Sequence, residues 1–130
     1  MKTGDVVTAF YKTGKYIGEV TAVYPDRCTV KIMAVLRHPA QGDLHNPKQT
    51  DVPFFHERKA LAFREQANIP ATTIQPYEGS ILNYNDSLKE AVLTLKNRLE
   101  QDGTAFSEKS LEALKAVQRE YELMYNLAWP

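Results

Sequence analysis

Three histidines, His38, His45 and His56, fall within the single stretch HPAQGDLHNPKQTDVPFFHER, and the chain has no others. Imidazole titrates near neutral pH and is the commonest neutral metal ligand, so any chemistry would first be sought here. With Asp43 the stretch offers four candidate ligands, His38, Asp43, His45 and His56, to an ion such as zinc. Zinc needs three or four converging N, S or O donors on rigid elements. The spacing H-x6-H-x10-H matches no recognised site, and the one thiol, Cys28, lies outside the stretch. The plainer role is favoured, in which the imidazoles fix the backbone of a proline-broken loop. A metal sensor or metal-dependent hydrolase is the alternative, and no cofactor is expected.

Other chemistries find less support. There is no G-x-S-x-G elbow, and Cys28 has an arginine and an aspartate before it but no histidine, so a small buried thiol is expected. The Gly-Lys of KTGKY is followed by Tyr16 where a phosphate loop needs Ser or Thr, and reads as a hairpin turn. Lys12, Lys15, Tyr11 and Tyr16 form a small basic-aromatic group, the basis of a third reading as a nucleic-acid-binding module. Sixteen basic residues against sixteen acidic ones argue against strong phosphate contacts, so no nucleic-acid partner is expected.

The elements that must position the histidines divide the chain in two. DVVTAFY (Asp5–Tyr11) and KYIGEVTAVY (Lys15–Tyr24) are rich in β-branched and aromatic residues and flank the turn Lys12–Gly14. CTVKIMAVL (Cys28–Leu36) is a third strand, with Val30, Ile32, Ala34 and Leu36 on its apolar face. The histidine stretch then interrupts the strands. Glu57–Gln66 has helix-forming composition, but Leu61, Phe63, Ala67 and Ile69 alternate, which favours a strand. ANIPATTIQPY (Ala67–Tyr77) reads as strand, single turn and short closing strand, the ending of an SH3-like barrel. The expected fold is β + α: an SH3-like small barrel over residues 1–80 with an inserted loop at 37–58, then an antiparallel two-helix hairpin over 81–130.

The hairpin helices are expected at about 86–102 and 108–127. Leu88, Val92, Leu95 and Leu99 keep helical spacing up to Gly103, a natural left-handed stop. Ser107 is the expected N-cap of the second helix, with Phe106 and Leu111 as a hydrophobic staple. Leu111, Leu114, Val117, Tyr121 and Met124 or Tyr125 continue its apolar stripe.

One cysteine excludes an internal disulfide and favours a reducing compartment. No h-region or long apolar run is present, and VYPDRC lacks the small residues that precede a lipid-modified cysteine. A cytoplasmic protein is expected. Protein binding has the most support: the loop mixes polar groups with Leu44, Val52, Phe54 and Phe55, and YELMYNLAWP crowds aromatic residues and Met as interface cores do. The candidate partner-binding residues are His45, Asn46, Phe54, Phe55, His56, Tyr125 and Trp129.

YKTGKYIGEV, HPAQGDLHNP, DVPFFHERKALAFREQANIP and PYEG together resemble the kinase-associated protein B family of spore-forming bacilli, over most of residues 4–80. The resemblance implies an accessory protein rather than an enzyme. It implies work in the sporulation phosphorelay with a KinB-like membrane sensor histidine kinase, or another relay protein, as partner. It also implies an SH3-like barrel followed by helices. The family's lipoprotein label implies an acyl anchor, for which this sequence shows neither signal peptide nor lipobox. Peripheral association at the inner membrane face through the kinase, and a homo-oligomer through the helical hairpin, complete the expectations. The phosphoacceptor role is rejected for all three histidines, because such residues sit on an exposed helix face and not in a Pro-broken loop.

Overall fold

The computed structural model describes residues 1–43 and 45–126. Five strands come first, β1 (Val6–Tyr11), β2 (Gly14–Val23), β3 (Arg27–Arg37), β4 (Gln66–Pro70) and β5 (Gln75–Pro76), followed by α1 (Tyr84–Asp102) and α2 (Ala105–Met124). They form one antiparallel sheet in the order β4-β3-β2-β1-β5. A single 3₁₀ turn, Ala71–Thr73, joins β4 to β5 as the closing stretch predicts. Among the described residues no ladder joins these two edge strands, so the sheet is open where closure into a barrel was expected.

The alternation read along β3 holds only to Ala34. Lys15 pairs with Arg37 but Tyr16 pairs with Val35, so Leu36 is an extra residue in the ladder. Such a bulge resets which face each side chain takes. Val35 is consequently buried and Leu36 is exposed, the reverse of the expected pattern. The freed Val35 N–H donates to the Ser87 hydroxyl at 2.9 Å and so docks the sheet on α1.

The core lies between the sheet and the hairpin. Val7, Val20, Val30, Ile32 and Ile69 meet Leu88, Val92 and Leu95 of α1 and Leu114, Val117 and Tyr121 of α2. Cys28 is buried in the same cluster, with its Sγ 3.7 Å from the Met1 sulfur. Of the expected stripe, Leu99 is only partly buried and Met124 is exposed, which leaves Tyr125 as the packing residue at the helix end.

Both helices start earlier than the sequence reading has them. Asn83 caps α1: its Oδ1 accepts the Asp86 N–H, and its amide donates back to the Asp86 carboxylate. Thr104, not Ser107, caps α2, accepting the Ser107 N–H at 3.1 Å. Thr104 and Ser107 stand three apart, the spacing of cap and N3, so the upstream hydroxyl takes the role and Ser107 becomes helical. Gly103 ends α1 at φ 66, the left-handed geometry expected of it.

The sharper correction concerns Glu57–Gln66. Only Gln66 belongs to a strand, and Glu57–Glu65 is neither helix nor ladder. Three tyrosine hydroxyls replace the missing backbone partners. Ala60 N–H donates to Tyr121 at 2.7 Å, Leu61 N–H donates to Tyr16 at 3.2 Å, and Tyr84 donates to the Leu61 carbonyl at 2.6 Å. Buried backbone groups must find partners somewhere, and side chains from β2, α1 and α2 supply them here.

Candidate functional site

The inserted loop has a locked neck and an exposed tip. At the neck, His38 is 2% exposed. Its Nδ1 lies 2.9 Å from the Pro39 carbonyl, which can only accept, so the ring proton sits on Nδ1. Nε2 then accepts from the Tyr121 hydroxyl, also at 2.9 Å. Burial disfavours the charged ring and lowers the His38 pKa to about 4, against the opposing effect of the Pro39 carbonyl. The same desolvation raises the pKa values of Tyr16, Tyr84 and Tyr121.

Gln41, likewise buried, performs the work of a missing ladder. Its Oε1 accepts the Arg58 N–H at 2.8 Å, and its amide donates to the Arg58 carbonyl at 2.9 Å. The Arg58 guanidinium returns to the Gly42 carbonyl through Nε and Nη2, and Gly42 N–H donates to His56 O. Gly42 has φ +100, and a Cβ there would stand 3.0 Å from the Phe55 ring. Only glycine suits that turn.

Beyond the neck, Asp43 organises the tip. Its two oxygens accept from His45 N–H and from the Asn46 side-chain amide, each at 2.9 Å. The Asn46 bond, then the His45 one, holds the Asp43 carboxyl below its usual range. His45 and Asn46 border a shallow depression of about 480 Å³ shared with Pro47, Gln49 and Val52. Phe54 is 70% exposed and stacks on His56 with centroids 5.8 Å apart. Phe55 turns inward instead. It meets Phe106 at 5.8 Å and sits beneath the Lys109 ammonium, which also donates to Thr50 O.

The seven sequence-named partner residues therefore separate. His45, Asn46, Phe54 and His56 face solvent on the tip, while Phe55 anchors it to α2. Tyr125 lies elsewhere, half-buried between Tyr84 and Tyr121, on an apolar depression of about 700 Å³ with Met33, Phe63, Ile81 and Leu82. Trp129, like Leu44 of the loop, lies outside the described residues. The four metal candidates do not converge: His38 is enclosed with both ring nitrogens engaged, and Asp43 serves the turn. Among the described residues no three His, Cys, Asp or Glu side chains could hold an ion together. Lys12 and Lys15 lie over the Tyr11 and Phe10 rings at the hairpin, a local patch rather than an extended stripe.

Sequence reasoning missed Gln41, Arg58 and the tyrosine hydroxyls, because bonds across the chain leave no periodic trace. It also missed the Phe63–Ile81–Leu82 depression, whose residues lie in irregular segments.

The structure thus defines a small β + α protein that presents an ordered loop on an open antiparallel sheet backed by a helical hairpin. The family model for kinase-associated protein B matches residues 11–122, and the chain belongs to that family. It is 53% identical over 120 residues to the kinase-associated lipoprotein B of Bacillus subtilis (strain 168), covering 92% of this chain and 94% of that one. It superposes with TM-score 0.80 on the crystal structure of kinase-associated protein B from Bacillus cereus, at 43% identity and with 94% and 98% of the two chains covered. Among the described residues no helix is long and apolar enough to cross a membrane.

Proposed function

We propose that the chain is a non-catalytic adaptor that carries signalling from a sporulation sensor histidine kinase into the phosphorelay by protein–protein contact. The observation that carries this is the exposed Phe54–His56 stack, held on a loop whose neck is fixed by Gln41, Arg58 and His38. An aromatic side chain on ordered backbone binds with little further loss of entropy, which is how interface anchors work. The kinase association named in the relatives supplies the class of partner. His45 and Asn46 extend the contact surface, and Phe55 supports it from beneath.

In this reading the protein works in the cytoplasm and reaches the inner membrane face through the kinase. The apolar depression at Tyr125, with Leu123 and Met124 exposed beside it in sequence, is the place for a second contact, including self-association of the hairpin. Titration calorimetry of the purified chain against the cytoplasmic portion of the sporulation sensor kinase from the same organism tests the proposal. Binding that falls about tenfold on Phe54→Ala with His56→Ala, at unchanged melting temperature, is expected of an interface anchor. Absence of binding, or binding indifferent to both substitutions, overturns it.

A further inference from the structure

Between the tip of the β1–β2 hairpin and the extended stretch after His56 runs a groove of about 320 Å³, lined by Lys12, Tyr16, Glu57, Arg58, Lys59 and Glu65 among others. It lies apart from the Phe54 tip. Thr13 fixes one wall by accepting the Ala40 N–H at 2.8 Å. Tyr16 is only 1% exposed, and its hydroxyl oxygen already takes the Leu61 N–H. Its own proton has no acceptor among the described residues. Desolvation pushes its pKa up to about 12, so the group stays a donor at neutral pH.

The cations of the groove differ in how far they are engaged. The Arg58 guanidinium holds Gly42, and Lys59 meets Glu120 at 3.2 Å. Lys12 has no carboxylate within ion-pair distance among the described residues. It sits at φ 54, a region that non-glycine residues seldom adopt and that favours turns and binding sites. Glu65 takes the Ala62 N–H, whereas Glu57 has no ion-pair partner among the described residues. A hydroxyl donor and an ammonium that lies over the Tyr11 ring with no carboxylate partner among the described residues select an oxyanion. The two carboxylates repel a doubly charged phosphate more than a singly charged carboxylate.

We propose that this groove seats a carboxylate borne by an acidic segment of a protein partner, held by the Tyr16 hydroxyl and the Lys12 ammonium. The proposal is independent of the loop-tip reading, since it uses neither Phe54 nor His56 and rests on another chemistry. It is tested on the full chain, isotope-labelled, by following the Lys12 and Leu61 amide resonances at ionic strength held constant with sodium chloride. The probes are the peptide acetyl-Glu-Glu-Glu-amide, sodium acetate and inorganic phosphate.

The peptide is expected to shift both resonances saturably, and acetate to move the same ones more weakly. Lys12 and Glu57 are exposed, so Lys12→Gln and Glu57→Gln leave the fold intact. From the strength of exposed ion pairs, Lys12→Gln should weaken peptide binding by about threefold, and Glu57→Gln should strengthen it by about twofold. No saturable shift, tighter binding of phosphate than of the peptide, or loss of the opposite signs of the two variants overturns the proposal.

Discussion

The imidazole of His38 and the hydroxyl of Tyr121 meet at 2.9 Å in the buried neck of the loop, joining residues 83 positions apart in the chain. The contact fixes both partners' protons. Pro39 requires the proton on Nδ1, which leaves Nε2 to accept, while the tyrosine oxygen receives the Ala60 N–H.

Acid should act through this contact. The unfolded imidazole titrates near 6.5 and the folded one at about 4, so between these values the unfolded chain binds the extra proton. The stability that depends on neutral His38 is therefore complete above about pH 6.5, declines as the pH falls to about 4, and levels off below. With about 1.36 kcal/mol per pKa unit, the loss is of the order of 3 kcal/mol. Urea unfolding of the wild type and His38→Gln at pH 7, 5.5 and 4.5 measures it. Parallel pH profiles for the two proteins would contradict the account.

Tyr121→Phe keeps the ring in the core but strands the Ala60 N–H and the His38 Nε2. An unmet buried polar group costs about 1–3 kcal/mol, so the urea midpoint should drop by that equivalent while the slope stays unchanged. A midpoint within error of the wild type would show that the hydroxyl carries no stability.

Gln41→Ala removes both side-chain bonds to the Arg58 backbone. Hydrogen exchange at the Arg58 amide should accelerate about tenfold or more, since about 1.4 kcal/mol of protection is tenfold in rate. Amides of α1, such as Leu88, should not respond locally. Uniform acceleration across the chain would instead mean that the neck and the core open together.

Phe54 and Phe55 are adjacent in sequence yet should behave oppositely. Phe54→Ala, at an exposed site, should alter stability by no more than about 0.5 kcal/mol. Phe55→Ala, which empties the contact with Phe106, should cost about 1–2 kcal/mol from lost apolar burial. Thermal melts of the two variants decide the matter, and equal losses would place both rings on the same footing.

Ser110 is 2% exposed on α2, and its hydroxyl has no hydrogen-bond partner among the described residues. Ser110→Ala removes a buried, unsatisfied group and improves helix propensity, so a gain of about 0.5–1 kcal/mol is expected in denaturant unfolding. A loss would reveal a partner for the hydroxyl.

What could be read from the sequence follows from where each bond is made. The three long strands, the turn at Lys12–Gly14, the 3₁₀ link and both amphipathic helices rest on neighbours two to four residues apart, and the periodicity displays them. Leu36 misled because a bulge depends on the partner strand, where Tyr16 skips to Val35. Glu57–Glu65 misled for a deeper reason: at Ala60 and Leu61 its backbone bonds to tyrosines drawn from β2, α1 and α2, and at Arg58 to the Gln41 side chain. The unusual wording of the histidine stretch revealed the family. It could not show that His38 turns inward while His45 and His56 stay outside.

The partnership of Ala60 and Leu61 with Tyr16, Tyr84 and Tyr121 also sets a timetable. During synthesis the β1–β3 meander can pair as soon as it emerges, because its contacts are local. The His38–Tyr121–Ala60 junction of the neck has to wait for α2, which is made after every strand of the sheet and after α1. A chain broken off before Tyr121 would lack the hydroxyl that joins His38 to Ala60. The closing of this junction thus comes last, once the second helix has been made.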